Sequence, residues 1–118
     1  MIIYNINVPQ NDMGIIEIDE FDEEMYNVKT FELTEDEYLF LRKPGGLFSK
    51  FDKTFGTIID VCEEERIPLE QLPEALELTD KEFKNKADVG VRALTKVRKS
   101  IISAIDAKTF WEIDIFLG

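Results

Sequence analysis

The sequence of 118 residues contains no histidine and a single cysteine, Cys62. Without histidine the chain lacks the commonest general base and every nucleophile triad that depends on an imidazole. One cysteine forms no internal disulfide, and without histidine it cannot complete a tetrahedral zinc site. The glycine patterns of nucleotide-binding loops are missing too. We therefore expect a protein that is not an enzyme and that has no catalytic residue, cofactor or metal site.

Long apolar runs are also missing. No stretch approaches the roughly 20 apolar residues of a membrane span. The segment from Met1 to Asn5 has neither a basic region nor a cleavage-site pattern, so we expect no signal peptide. With one thiol, these features favour a reducing cytoplasm. The length fits one domain, residues 1–118, and the 44% apolar content is enough for a core.

Basic side chains are scarce in the first third of the chain. Residues 1–40 hold eleven acidic side chains and one basic side chain, Lys29, whereas residues 81–118 hold five acidic and eight basic ones. The formal net charge is −11. Nine phenylalanines are more than a disordered acidic chain would carry, so the acidity is expected on the surface of a folded protein. Such a surface repels phosphate, which disfavours direct nucleic-acid and anionic-membrane partners.

Alternation of apolar and polar residues predicts four strands. They cover residues 4–8, 15–18, 28–33 and 110–116. In the last strand Trp111, Ile113 and Ile115 face one way, and Glu112 and Asp114 face the other. Paired carboxylates can do acid–base work in a cleft. The flanking aromatic residues Phe110 and Phe116 fit an exposed or partner-covered sheet face equally well.

Helical spacing and capping signals predict the helices. Thr34 and Glu37 form a capping box, and the Pro44-Gly45-Gly46 turn ends that helix. A second helix is expected from about Lys50 to Arg66, with Ser49 as its N-cap and Cys62 buried on its apolar face. A further short helical turn lies between Pro68 and Pro73.

The longest predicted helix runs from Asp80 to Ala107, with Thr79 as the cap. Three N-terminal strands, several helices and one C-terminal strand give no regular strand–helix alternation. The predicted class is therefore α+β. We expect a small, mostly antiparallel sheet of about four strands, with the helices, including the long C-terminal one, packed on one face.

Two acidic segments are candidates for function. The first segment, which begins at Asp19, could hold Ca²⁺ or Mg²⁺, form a solvated loop or bind a partner. It lacks the ligand spacing of an EF-hand, and its aromatic residues favour partner binding, because aromatic anchors with charged rims are typical of interfaces. The candidate partner-binding residues are Asp19, Glu20, Phe21, Asp22, Glu23, Glu24 and Tyr26, with Glu63, Glu64 and Glu65 as a second group.

These features predict a cytoplasmic protein-interaction module, most concretely an acidic inhibitor that binds a basic protein partner. In size and charge the chain resembles bacterial immunity proteins, which neutralise toxins from rival cells; that resemblance implies a toxin or nuclease domain as partner. An alternative is a structural or regulatory subunit, such as a homodimer or a phage-derived accessory protein, with an interface near Phe110 and Phe116 or at an open strand edge. A third is an enzyme of unfamiliar type that uses carboxylates and Mg²⁺.

Overall fold

The computed structural model describes residues 1–83 and 88–118. Its elements are strand β1 (Ile2–Pro9), helix α1 (Asp12–Asp19), strand β2 (Val28–Leu33), helices α2 (Glu35–Arg42) and α3 (Leu47–Phe55), strand β3 (Glu64–Ile67), a 3₁₀ turn (Leu69–Gln71), helices α4 (Leu72–Lys81) and α5 (Asp88–Ala107), and strand β4 (Trp111–Leu117). The strands form one antiparallel sheet in the order β2-β1-β4-β3. The predicted α+β class, the four-stranded sheet and the long C-terminal helix are confirmed.

One face of the sheet is apolar because apolar residues alternate along the strands. It contributes Tyr4, Ile6 and Val8 from β1, and Trp111, Ile113 and Ile115 from β4, all buried. Helices α2 to α5 cover this face with their own buried stripes, which include Leu41, Phe48, Phe51, Leu72, Leu94, Val97 and Ile101. Burial of these side chains is the main favourable contribution to folding.

The indole of Trp111 lies at the centre of this core. It meets the rings of Phe48 and Phe51 edge-on, with centroid distances of 6.2 and 5.8 Å. Its Nε1–H donates a hydrogen bond of 2.8 Å to Ser100 Oγ, which satisfies a donor that burial removes from water. One side chain therefore joins β4, α3 and α5.

The strand predicted over residues 15–18 is wrong, because this segment lies in helix α1. The Asn11 side-chain oxygen accepts from the Gly14 N–H at 3.0 Å and caps the helix. A Cβ atom at Gly14 would stand 2.2 Å from the Asn27 carbonyl oxygen, so the helix approaches that backbone as only glycine allows. Four residues are too few to separate a period of 2 from a period of 3.6.

The helix predicted from Lys50 to Arg66 is also wrong in its bounds. Helix α3 begins three residues earlier, with Gly46 rather than Ser49 as its N-cap, and it ends at Gly56, whose φ of 73° is left-handed. Asp52 fixes the segment that follows the helix, because its Oδ1 accepts a hydrogen bond from the Ile59 N–H at 3.0 Å. The last residues of the predicted helix, from Glu64, form β3.

Cys62 is the second correction in this segment. It lies in the turn before β3 with a φ of 67°, and its side chain is exposed rather than buried. The prediction of a buried thiol failed because it depended on a helix that ends at Gly56, six residues earlier.

The long helix predicted from Thr79 is two helices. Thr79 is fully buried inside α4, where its hydroxyl donates to the Ala75 carbonyl at 2.8 Å, so it caps nothing. Helix α5 begins at Asp88, and residues 84–87 of the predicted helix lie outside the described residues. The buried side of α4 contains Leu72, Ala75 and Thr79. Packing of this side against the core decides the position of Thr79, against the local preference for a helix cap. Across the two described ranges, no helix combines the length and apolar character of a membrane span.

The capping box of α2 is confirmed and gives a stability test. Thr34 Oγ1 accepts from the Glu37 N–H at 3.2 Å, and Glu37 Oε1 accepts from the Thr34 N–H at 2.8 Å. Thr34→Ala should lower the free energy of unfolding by roughly 0.5–2 kcal/mol, the usual cost of a lost N-cap. Urea denaturation measures this. The control is Thr54→Ala on the exposed surface of α3, which should change little; equal losses in both variants would contradict the cap assignment.

The exposure of Cys62 predicts its reactivity. A thiol reagent such as dithionitrobenzoate should label one thiol per chain in the native protein, at a rate that denaturant changes little. Labelling that requires denaturant would show that the turn before β3 is not placed as described.

Candidate partner-binding site

The acidic segment predicted to bind a partner forms a loop between α1 and β2, which we call the acidic loop (residues 19–27). Its two ends are joined by Glu17 of α1, whose Oε1 accepts from the Asn27 N–H at 2.8 Å and whose Oε2 accepts from Asn27 Nδ2 at 2.9 Å. Glu17 is itself buried and Asn27 is half-buried, so the link is partly shielded from water. The loop therefore leaves and rejoins the fold at fixed points.

The loop presents its aromatic side chains to solvent. Phe21 is 75% exposed and Tyr26 is 82% exposed. Phe21 also has a left-handed backbone, with a φ of 54°, which is unusual for a bulky residue. The Tyr26 hydroxyl donates to the Glu24 carboxylate, and this hydrogen bond is the main cause of a raised Tyr26 pKa. Acidic residues surround both rings, so an apolar surface with a negative rim faces the solvent.

Helix α1, which leads into the acidic loop, exposes two further apolar side chains. Its buried positions Gly14, Glu17 and Ile18 follow helical spacing, which leaves Met13 and Ile16 on the opposite side and exposed. Exposed large apolar side chains that cluster beside charged ones are typical of interaction sites. Met13 and Ile16 were missed from the sequence because residues 15–18 were interpreted as a strand.

The acidic loop lies beside the polar face of the sheet, opposite the helical layer. The sheet register places Asn7, Glu112 and Arg66 next to one another across β1, β4 and β3. Arg66 Nε lies 2.8 Å from Glu112 Oε1, and Arg66 Nη2 lies 2.7 Å from Asp19 Oδ1. Arg66 also lies over the Phe110 ring, 4.3 Å from its centroid. One arginine thus links the sheet to the end of α1.

Burial and ion pairing act in opposite directions on the pKa values of Glu112 and Arg66. Burial raises the pKa of Glu112, although the Arg66 guanidinium acts against that rise. For Arg66, burial by itself would lower the pKa, but its hydrogen bonds to Glu112 and Asp19 outweigh burial and raise it. Arg66 therefore stays charged, and its single positive charge is shared between two carboxylates, which leaves the group with a net negative charge.

The next row across the sheet has no cation. It places Asn5, Asp114 and Glu64 side by side on β1, β4 and β3. Asp114 and Glu64 are direct cross-strand partners of like charge, a pairing that destabilises a sheet. Burial, followed by the Glu64 charge, raises the pKa of Asp114. This row therefore carries negative charge that no cation within the described residues offsets.

A cavity of about 160 Å³ lies between the acidic loop and this face. Its lining comes from both predicted acidic segments and from β1 and β4: Asn7, Ile18, Phe21, Asp22, Met25, Glu64, Glu112 and Asp114. The structure thus joins two segments that the sequence offered as separate candidates. We call the acidic loop, the exposed side of α1 and this cavity the acidic surface.

The residues of the second predicted group, Glu63 to Glu65, do not all lie on the same face of the sheet. Glu64 lines the cavity and Glu63 is exposed in the turn before β3. Glu65 points to the other face of the sheet, where its Oε1 accepts from the Ile58 N–H at 3.0 Å, so it does not belong to the acidic surface. Arg66 and Asn7 were missed. Residues 64–67 read Glu-Glu-Arg-Ile and show no alternation of apolar and polar side chains, so no signal in the sequence placed Arg66 on the sheet.

Comparison with protein-family models, curated proteins and solved structures finds no match for this chain. Among residues 1–83 and 88–118, no group of three or more carboxylates or thiols is arranged to hold a metal ion. The geometry of this region is that of a negatively charged, partly apolar surface.

The unneutralised row predicts a pH-dependent gain in stability. Asp114→Asn should raise the free energy of unfolding at pH 7 by roughly 0.5–1 kcal/mol, because it removes a like-charge cross-strand pair. The folded-state pKa of Asp114 lies above its unfolded value, so the wild-type carboxyl gains a proton as the pH falls through the folded-state pKa, and the variant's advantage shrinks toward zero near the unfolded value of about 3.9.

Urea denaturation at pH 7 and pH 4 measures this gain. Glu23→Gln, in the exposed part of the acidic loop, is the control and should change stability by less than the Asp114 variant. A gain that persists unchanged at pH 4 would show that electrostatic repulsion is not its source.

Proposed function

We propose that this chain is a non-enzymatic protein-interaction module that binds a basic protein partner through the acidic surface, as an inhibitor of the immunity type. The observation that carries the proposal is the exposure of Phe21 and Tyr26 within a negatively charged surface. Exposing two large aromatic side chains to water forgoes the gain of burying them, and a partner that covers them recovers it.

Charge supports a basic partner. Only Asp19 and Glu112 of the acidic surface pair with a cation inside the described chain, and both use Arg66. Carboxylates without such a partner remain along the loop and in the cavity, where Asp22 and Asp114 are examples. Such a field steers a cationic protein into contact and raises its association rate. A toxin or nuclease domain with a cationic active site has the required chemistry.

A cytoplasmic location belongs to the same proposal. Cys62 is an exposed free thiol, and exposed thiols stay unpaired most readily in a reducing compartment. The thiol lies one residue before Glu63, at the border of the acidic surface, so it also offers a position for a cross-linking probe.

A homodimeric structural or regulatory subunit is the second candidate. It is favoured by the end of the sheet, where Ile3 and Phe116 are cross-strand partners and Leu117 is largely exposed. The Phe110 part of the predicted dimer surface is already covered by Arg66, which leaves a smaller apolar area. The molecular mass in solution distinguishes a dimer from a monomer.

Charge should set the rate at which the partner associates, and the aromatic anchor should set the rate at which it dissociates. The immobilised chain would capture partners from a lysate of its source organism, with identification by mass spectrometry. Surface plasmon resonance with the captured protein then follows at several salt concentrations. The triple variant Glu20→Gln, Asp22→Asn, Glu23→Gln should slow association, and wild-type association should slow as salt rises. Phe21→Ala should speed dissociation by about tenfold or more.

Each variant has a matched control. Glu70→Gln, Glu74→Gln, Glu77→Gln removes the same charge from the α4 side of the molecule, and Leu39→Ala truncates an exposed apolar side chain on α2. Both controls should bind nearly as the wild type does. If the two triple variants lose association rate equally, only net charge matters and the acidic surface is not the site.

A further inference from the structure

Strand β2 is an edge of the sheet: it pairs with β1 on one side, and no strand within residues 1–83 and 88–118 pairs with it on the other. In an antiparallel ladder the N–H and C=O of a residue point to the same side, and successive residues alternate. Glu32 shows which residues point outward, because its carbonyl accepts a 2.9 Å hydrogen bond from Lys96 Nζ instead of from β1. Val28, Thr30 and Glu32 therefore direct their backbone groups to the open edge.

A groove of about 450 Å³ runs between this edge and helix α5. Lys29 and Phe31 line it from the strand, since they share the sheet face of Val8 and Ile6. Its other wall includes Lys99, Ile102, Ser103 and Asp106 of α5. The groove thus has a hydrogen-bonding edge, an apolar floor and charged rims, which together are the requirements for binding an extended chain.

The lysines of the groove differ from their neighbours on α5. Lys96 Nζ lies 2.7 Å from Glu37 Oε1, so its charge is offset inside the fold. Within the described residues Lys29 and Lys99 have no carboxylate oxygen within 4.0 Å, in a chain that carries 25 acidic side chains. Lys29 instead lies over the Phe31 ring, 5.3 Å from its centroid. The groove therefore presents two cations that form no ion pair within the described residues, with one carboxylate, Asp106, on its α5 wall.

We propose that the groove binds an extended acidic peptide segment of another protein, which adds to β2 as a fifth strand. Backbone pairing uses the outward N–H and C=O groups of Val28 and Thr30 and the N–H of Glu32, whose carbonyl already accepts from Lys96 Nζ. An acidic side chain of the peptide lies between Lys29 and Lys99, and an apolar side chain two positions away packs on the Phe31 and Ile102 side chains. Because alternate side chains of a strand face the same way, the bound motif has acidic and apolar residues at a spacing of two.

This surface is distinct from the acidic surface in position and in charge. The groove opens at the β2 edge on the helix-bearing side of the sheet, whereas the acidic surface covers the polar face. The chain can thus hold one basic and one acidic partner at the same time, and neither proposal depends on the other.

The test is selection from a displayed library of random nonapeptides on the immobilised full chain, followed by affinity measurement for the enriched peptides. Enriched sequences should carry acidic residues two positions from apolar ones. Lys29→Ala and Lys99→Ala should each weaken binding about tenfold, the loss of roughly one charge-assisted contact. On binding, the amide protons of Thr30 and Glu32 should exchange more slowly with solvent.

A pair of variants isolates the strand pairing. Thr30→Pro removes the outward N–H, which an edge strand tolerates because its ladder with β1 does not use that group. Thr30→Val keeps the N–H and, like Thr30→Pro, loses the 2.8 Å hydrogen bond from the Thr30 hydroxyl to Asn7 Oδ1. Peptide binding should be lost in the proline variant and kept in the valine variant. Equal binding by the two variants would exclude strand addition.

Two further measurements keep the proposal falsifiable if the proline variant fails to fold. The charge reversal Lys29→Glu with Lys99→Glu should shift the enriched sequences from acidic to basic; unchanged enrichment overturns the proposal. Sedimentation velocity tests whether a second copy occupies the groove. A dimer of the wild type that the charge reversal dissociates would identify that copy as the occupant and overturn the proposal of a foreign peptide.

Discussion

The buried indole of Trp111 is the contact on which the rest of the fold depends. It fixes β4 against α3 through Phe48 and Phe51, and against α5 through the hydrogen bond to Ser100. Because side chains alternate along a strand, fixing Trp111 in the core also determines that the next residue, Glu112, faces the opposite side. The polar face and its carboxylates are therefore a direct consequence of how the core is packed.

The sequence predicted the elements whose signal was long or chemically specific. The alternation in residues 110–116 and the capping box at Thr34 located β4 and the start of α2 correctly. It failed where long-range contacts decide between similar local patterns. The approach of Gly14 to the Asn27 backbone selects helix α1, and the pairing of β3 with β4 draws residues 64–67 out of a helical pattern. Neither contact is visible in a window of ten residues.

The candidate site was predictable only in part for the same reason. Acidic and aromatic residues that are close in sequence, such as Asp22 and Phe21, could be found from composition alone. The cavity also needs Asn7 and Asp114, which lie at opposite ends of the chain and meet through strand pairing. Ion pairing also depends on contacts between distant residues. Glu37 and Lys96 offset one another inside the fold, whereas Asp114 and Lys99, on separate surfaces, form no ion pair in the part of the chain that the structure describes.

The central position of β4 has a consequence for synthesis of the protein. Strand β1 pairs with β4 over a register that joins Ile2 to Leu117, so the sheet cannot close until that leucine has left the ribosome. Until then the nascent chain holds β1 with one bare edge and the helices without the tryptophan around which they pack. Contacts this distant in sequence make folding slow, and an uncovered edge invites pairing with other chains.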